Sequence, residues 1–343
     1  EFISRHFCPC LPNAVTSPLA MARRALFGLA FLGLGSKLGL GFGGPRSPSA
    51  DSADCLLQKQ RSVFRDDASR QFSDLHGSLE GLALSTNIAA LADSMEPGIT
   101  RDLLNSFRIC GSCKDFCRFG EHLDGGYLIC MDHLAKGDIQ AAYSMGIDDH
   151  DLWSKDIYTS YAVPVFQYDC TVDKAAQDCD SCSFYKSCLK GEDGDGVEDP
   201  MNLTLQQVLT KTSKADTPDR SLLMKMDIEG GEWQALGTAS DETLRKFRQL
   251  VVEFHWLADE SQHVQFVSTL RRLKEAGFRI VHLHGNNAAP MYEHGDFRIP
   301  DVLEVTLDSQ GPEIPCITDE VRSQLDHPNL ATKTELPLAH LPS

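Results

Sequence analysis

The chain has 343 residues, 42% of them apolar and 24% charged. That balance excludes wholesale disorder and is long enough for a full-sized core. Its 32 Lys and Arg stand against 49 Asp and Glu, a formal charge of −17. With no run of Lys and Arg, this argues against a protein built to grip nucleic-acid phosphates, whose domains carry a basic face.

From the N-terminus, the first feature reads as a leader. Met21 resembles a natural start, Arg23 and Arg24 form a positive flank, and Ala25 to Ser36 make an apolar stretch of signal-peptide length. Lys37 interrupts it before Gly-rich sequence. A membrane span needs about 20 consecutive apolar residues, a length reached here only by including Lys37 and several glycines. The expectation is entry into the secretory pathway, by a cleaved signal peptide or an N-terminal anchor, with an organellar leader as the alternative. Any membrane contact is expected only through that anchor. Residues 1–50 are read as leader and linker, 51–107 as a weakly patterned helical region, 108–312 as one domain and 313–343 as a flexible tail.

Beyond about residue 108 short β-rich runs alternate with helical segments. Strands are expected at 141–147, 163–168, 222–228, 250–255, 279–284 and 302–307, with a weaker one at 183–186. The clearest helix is 262–276, where Phe266, Val267, Leu270 and Leu273 share one face and Gly277 supplies a stop. Alternation of this kind implies an α/β fold with a mostly parallel sheet covered on both faces. The acidic stretch 191–200 reads as a solvated loop, since it lacks the ligand order of a calcium loop.

Twelve cysteines fit an oxidising compartment. Cys110, Cys113 and Cys117 form one group, and Cys170, Cys179, Cys182 and Cys188 another. Disulfides are expected; a zinc site built from the pairs Cys110/Cys113 and Cys179/Cys182 is the alternative. The connectivity is not legible from spacing.

Open parallel sheets bind ligands beyond the carboxyl ends of their strands, where strand order reverses. The first expected strand runs into Gly146 and Asp148, and the second into Asp169, where nucleoside-binding α/β domains place a ribose-hydroxyl acceptor. A solvated Asp at a strand end is the competing reading of Asp169. The glycines at 33, 35, 39 and 41 imitate a dinucleotide fingerprint, but they lie in the leader with no strand before them. Leu222 to Trp233 (LLMKMDIEGGEW) is an apolar strand running straight into acidic residues and a Gly pair. Carboxylates at such a terminus are costly unless solvated, bonded or used. The next two strand ends add Glu253 and His255, then His284 and Asn287. Asp227, Glu229, Glu253, His255, His284 and Asn287 are therefore expected on one rim.

The segment LLMKMDIEGGEW resembles the K-x-D-I-E-G-x-E signature of FkbM-type S-adenosylmethionine-dependent methyltransferases. Further matching segments follow in order. They are Asp124-Gly125-Gly126-Tyr127, Tyr143 to Ile147, the acidic and aromatic stretch Asp148 to Trp153, and Tyr168 to Val172. Glu253 to His255, His282 to Asn287 and Pro300 to Thr306 complete the series. The resemblance covers residues 108–308 and implies a seven-stranded Rossmann-like methyltransferase fold that binds S-adenosylmethionine. On this basis Gly146 and Asp148 are assigned to the methionine end of the cofactor, Asp169 to its ribose, and Asp227 to the neighbourhood of the methyl. His255 becomes the general base, with Asp227 and Glu229 beside it as catalytic residues. The expected reaction is O-methylation of a glycan, a small molecule or a protein side chain. No metal site is assigned; a variant in which Asp227 and a nearby His or Asn bind a divalent ion is the alternative. A catalytically silent binding protein and a nicotinamide-dependent oxidoreductase are the competing functions. The single glycine of the first-strand loop and the thiol-rich segment Cys170–Cys188 depart from the family pattern.

Overall fold

The computed structural model describes residues 92–93, 95–192, 199–294, 297–317 and 323–335. The leader, the linker, residues 51–91 of the expected helical region and the centre of the acidic loop lie outside these residues. Seven strands form the main sheet: β3 (Ala141–Met145), β4 (Val165–Tyr168), β5 (Ser183–Tyr185), β8 (Leu222–Met226), β9 (Phe247–Phe254), β10 (Arg279–Gly285) and β13 (Leu303–Asp308). Their order is β10-β13-β9-β8-β3-β4-β5. All neighbours run parallel except β13, which pairs antiparallel with both β9 and β10. The chain builds outward from β3 to β4 and β5, then crosses to β8 and β9 on the other side. The reversal therefore falls between β3 and β8, which is where an open parallel sheet forms its ligand crevice. This order, with one antiparallel strand inserted next to the edge, is the class I methyltransferase arrangement.

The central strands are buried on both faces and mostly apolar, with single buried polar residues such as Ser144 and Lys225. Tyr143, Met145, Met224, Met226, Leu250 and Val252 face a core shared with helices α1 (Ile99–Ser106), α3 (Leu205–Lys211), α4 (Glu232–Thr238), α5 (Asp241–Arg245) and α6 (His263–Glu275). The alternate residues Ala142, Leu223 and Val251 face a second core with α2 (Leu152–Tyr161) and a β-hairpin. That hairpin, β1 (Phe116–Gly120) and β2 (Gly126–Cys130), is joined around the Asp124-Gly125-Gly126 turn. It was not expected as strands from the sequence. Two short pairs, β6 (Cys188–Leu189) with β7 (Asn202–Leu203) and β11 (Met291–His294) with β12 (Phe297–Pro300), are the other strands among the described residues.

Helix starts follow capping chemistry. Thr204 and Gln207 form a capping box on α3, and Asp151 accepts from Ser154 N at the start of α2. The expected strand β9 begins three residues earlier than the apolar run suggested. Gln249 interrupts that run, yet its amide is paired across the sheet face to the backbone N–H and C=O of Cys130 at 3.0 and 2.6 Å.

Among the described residues four disulfides are present: Cys110–Cys316, Cys113–Cys130, Cys170–Cys188 and Cys179–Cys182. The zinc alternative falls, because Cys110 and Cys113 are consumed in separate bridges. Four bridges suggest an oxidising, extracytoplasmic compartment. No described helix is long and apolar enough to cross a membrane.

The tail expected to be flexible from 313 is docked wherever it is described. Glu313 bridges to Gly111, and the N–H groups of Ile314 and Ile317 donate to the carbonyls of Cys110 and Ile109. Residues 323–335 form a strap: Leu330 N donates to Asn287 Oδ1 at 2.7 Å, and Asn329 Nδ2 reaches Asp124 at 2.9 Å. Its polar composition misled the sequence reading because buried partners on the domain, not apolar contacts, hold it.

Candidate functional site

Three strand ends meet at the crevice. After Met145 the chain turns at Gly146, whose φ is +79° and where a Cβ would lie 1.6 Å from the Asp227 carbonyl oxygen. Only glycine lets the β3 and β8 ends approach so closely. Gly146 N donates to Tyr168 O and Asp227 N to Met145 O, at 2.8 and 2.9 Å, so β4, β3 and β8 are tied in series. Asp169, 9% exposed at the end of β4, sits beside this turn. Its Oδ1 accepts from Thr171 N, Thr171 Oγ1 and Val172 N, while Oδ2 accepts from Ile147 N at 2.9 Å. Oδ1 is thus saturated, and Oδ2 keeps capacity for one further donor. Asp148 is exposed, and its own carboxylate accepts from Asp149 N.

Beyond β8 the backbone is bent sharply. Glu229 has φ +58° and Trp256, just past β9, has φ +67°. Two non-glycine residues in the left-handed region on adjacent strand ends are the kind of strain that clusters at functional sites. Between them Gly230 (φ +101°) lies under the Trp256 ring, 2.8 Å from where a Cβ would be. This turn starts α4 and carries Glu232 inward to zero exposure. Glu232 Oε2 accepts from Gly230 N at 2.9 Å; its Oε1 takes both the His255 backbone N–H at 2.8 Å and the ring Nδ1 at 2.7 Å.

His255 is thereby fixed with Nε2 pointing to the crevice. Its Nε2 lies 3.8 Å from Asp227 Oδ1, 3.8 Å from Glu229 Oε2 and 4.0 Å from Glu253 Oε1. One ligand atom from each of Asp227, Glu229 and His255 falls within 4.8 Å of the others. Burial alone would lower the imidazole pKa, but the charge and hydrogen bond of Glu232, then the charges of Glu253 and Asp227, hold it well above its ordinary value. The general-base role expected of His255 needs a neutral ring, and this surrounding favours the charged one.

Behind them is a buried polar layer. Tyr127, from the hairpin, donates to Glu253 Oε2 at 3.0 Å and approaches Asp227 Oδ2 at 3.3 Å. Asn286 Nδ2 donates to Glu253 Oε1 at 2.8 Å. Burial, then the Asp227 charge, pushes the Glu253 carboxyl well above the usual range. Lys225 donates to Gly146 O at 2.6 Å and lies 3.5 Å from Asp227 Oδ2. Burial works against its charge, but Asp227, Asp151 and Glu253 outweigh that and raise its pKa.

Of the residues expected on one rim, Asp227, Glu229, Glu253 and His255 converge. His284 and Asn287 do not. His284 bonds Glu304 and Glu335 at 3.0 and 2.8 Å, and Asn287 Nδ2 donates to carbonyls of the strap. Sequence reasoning missed the roles of Tyr127, Lys225, Glu232 and Asn286. Each stood within a quoted motif, but nothing in the spacing showed that Glu232 turns back onto His255.

The sequence matches the Methyltransferase FkbM domain over residues 98–280, more than half the chain. No curated protein matches it. Among solved structures, a fibrillarin pre-rRNA processing protein from Methanococcus jannaschii is 10% identical, covering 52% of this chain and 70% of that one, with a TM-score of 0.29. TrmN from Thermus thermophilus is 10% identical over 50% of this chain and 44% of that one, with a TM-score of 0.25. The methyltransferase CalO6 is 12% identical over 50% and 58%, with a TM-score of 0.24. Likeness at that level decides nothing; the domain match does. This chain belongs to the FkbM methyltransferase domain family, whose members' chemistry implies use of S-adenosylmethionine.

Proposed function

We propose that the chain transfers the methyl group of S-adenosylmethionine to a hydroxyl oxygen of an uncharged acceptor, a glycan or small molecule, within the secretory pathway. The observation that carries this reading is the convergence of Asp227, Glu229 and His255 at the strand-order reversal, beside the Gly146 turn. The donor set fits the cofactor: Asp169 Oδ2 retains capacity for one ribose hydroxyl at the position where the crevice begins. Bound there, the cofactor supplies an activated methyl, so that the new C–O bond forms while the S–C bonding pair returns to sulfur. What remains for the protein is alignment and removal of the hydroxyl proton.

Asp227 and Glu229 are suited to that removal. Their carboxylates accept hydrogen bonds from a hydroxyl and orient its lone pair, whereas His255, held protonated by its carboxylate neighbours, positions both through charge. Asp227 is anchored by Lys225 and Tyr127, so its oxygen is aimed rather than free to swing. The concentration of carboxylates at this end repels acceptors bearing phosphate or carboxylate and favours neutral polyols. The four disulfides, together with the Arg23-Arg24 flank and apolar stretch, support a lumenal site of action.

The test is methyl transfer from labelled S-adenosylmethionine to a panel of glycans and hydroxylated small molecules. A label that resists mild base and is located on a hydroxyl oxygen by mass spectrometry of the product agrees with the proposal, and Asp227→Asn should abolish it. Absence of cofactor binding by calorimetry, or a label released by mild base as from an ester, refutes it.

A further inference from the structure

We infer that Asp227, Glu229 and His255 form a binding site for one hard divalent cation, of the Mn²⁺ or Mg²⁺ type. Three observations carry this. The ring Nδ1 of His255 is locked by the fully buried Glu232 at 2.7 Å, so the proton a metal would displace is the one on Nε2, and that nitrogen is the one left to ligate. A carboxylate behind a histidine in this manner is the support that metal-ligating histidines use to fix tautomer and direction.

Next, Nε2 of a residue only 6% exposed makes no hydrogen bond among the described residues. It faces Asp227 Oδ1 and Glu229 Oε2 at 3.8 Å each. These separations are too long for hydrogen bonds. They suit two ligands of one ion, since atoms about 2.2 Å from a common centre lie at most about 4.4 Å apart.

Finally, the strained turn residues stand here. Glu229 is held at φ +58°, and its carboxylate stands at the mouth of the crevice, 3.8 Å from Nε2. The neighbouring trio Asp124, Glu253 and Glu304 makes a useful contrast. It holds no histidine.

One nitrogen and two carboxylates form an oxygen-rich set, which suits Mg²⁺ or Mn²⁺ better than thiophilic metals. Ligation needs the neutral ring, so binding releases the Nε2 proton. Three protein ligands leave open positions on the crevice side. There the cation would take vicinal hydroxyls of the acceptor and lower the pKa of the one to be methylated. That role rests on the proposed function above; the ion site itself does not.

The experiment is Mn²⁺ titration of the full chain after chelator treatment, followed by loss of the free-Mn²⁺ electron paramagnetic resonance signal. Wild type should bind one ion per chain below millimolar concentration. Asp227→Asn and the half-exposed Glu229→Gln should each weaken binding at least tenfold, and Glu232→Gln by about 10–100-fold. Asp241→Asn, remote on α5, should leave it unchanged. No binding by folded wild type, or equal affinity in Asp227→Asn and Glu229→Gln, overturns the site. Cofactor binding measured in parallel with chelator present separates the two ideas. An ion bound without cofactor affinity refutes the methyltransferase reading alone, and cofactor bound without an ion refutes the cation site alone.

Discussion

Replacing Gly146 by Ala tests whether the crevice depends on the contact between two strand ends. The new methyl would lie 1.6 Å from Asp227 O, and real contacts at a Cβ essentially never fall below 3.0 Å. The β3 and β8 ends must therefore part by about 1.4 Å (3.0 − 1.6). Opposing this are the Asp227 N–Met145 O bond at 2.9 Å and the Lys225 Nζ–Gly146 O bond at 2.6 Å. Overpacking costs roughly 1–3 kcal/mol, the left-handed backbone about 1–2 kcal/mol and one lost hydrogen bond about 0.5–1.5 kcal/mol. Together that is about 3–6 kcal/mol, against a usual total stability of about 5–15 kcal/mol. Gly137 supplies the control: its φ is +102°, yet a Cβ there meets nothing within 4 Å. Gly137→Ala should show only the backbone cost, so the two variants should differ by about 2–4 kcal/mol. For a domain of this size that corresponds to roughly 5–15 °C in Tm, read by calorimetric melting. If Gly146→Ala melts within about 2 °C of Gly137→Ala, the close approach of the strand ends is not a constraint, and the argument for that turn fails.

Asp169→Asn should keep the fold but weaken S-adenosylmethionine binding by roughly 10–100-fold, the loss of one charge-assisted bond worth about 1.5–3 kcal/mol; unchanged affinity by calorimetry would remove Asp169 from the cofactor site. Burial lowers the His284 pKa, but Glu304 and Glu335 outweigh it and raise it to about 10. This pair-based stability is full below about pH 6.5 and is lost as pH rises through about 10. Urea unfolding of wild type should therefore weaken across that window more steeply than that of His284→Gln, and parallel curves would count against it. Cys110→Ser with Cys316→Ser removes a bridge spanning 206 residues and should cost about 2–5 kcal/mol; an unchanged denaturation midpoint would show that the strap and the β10 edge hold without it.

Much of the sheet was legible because central parallel strands must be apolar on both faces, and Leu222–Met226 or Ala141–Met145 can be little else. The hairpin carrying Tyr127 was not, since Phe116–Gly120 holds an Arg and a Cys and alternates too briefly to separate from a loop. The convergence of Asp227, Glu229 and His255 followed from strand ends alone. What spacing could not reveal was direction. His255, His284 and Glu232 are all buried polar residues near strand or helix ends, yet one enters the crevice, one anchors the strap and one turns back to orient a ring. Those choices depend on partners between 20 and 51 positions away, beyond the reach of local pattern.

The Cys110–Cys316 bridge has a consequence for biosynthesis. Cys110 lies against β10, with its N–H and that of Gly111 both donating to Ile280 O, before the first strand of the domain. Its partner follows the last strand. A ribosome emits the first thiol some two hundred residues before the second, so during that interval Cys110 can react only with nearer thiols such as Cys113. The native pairing is therefore a record that the sheet has closed: it can form only once β13 and Cys316 have been made and the sheet has carried both chain segments to one edge. A chain retained with Cys110 mispaired would be chemically distinguishable from a finished one, and an oxidative quality-control system could read that single bond as the signature of a closed fold.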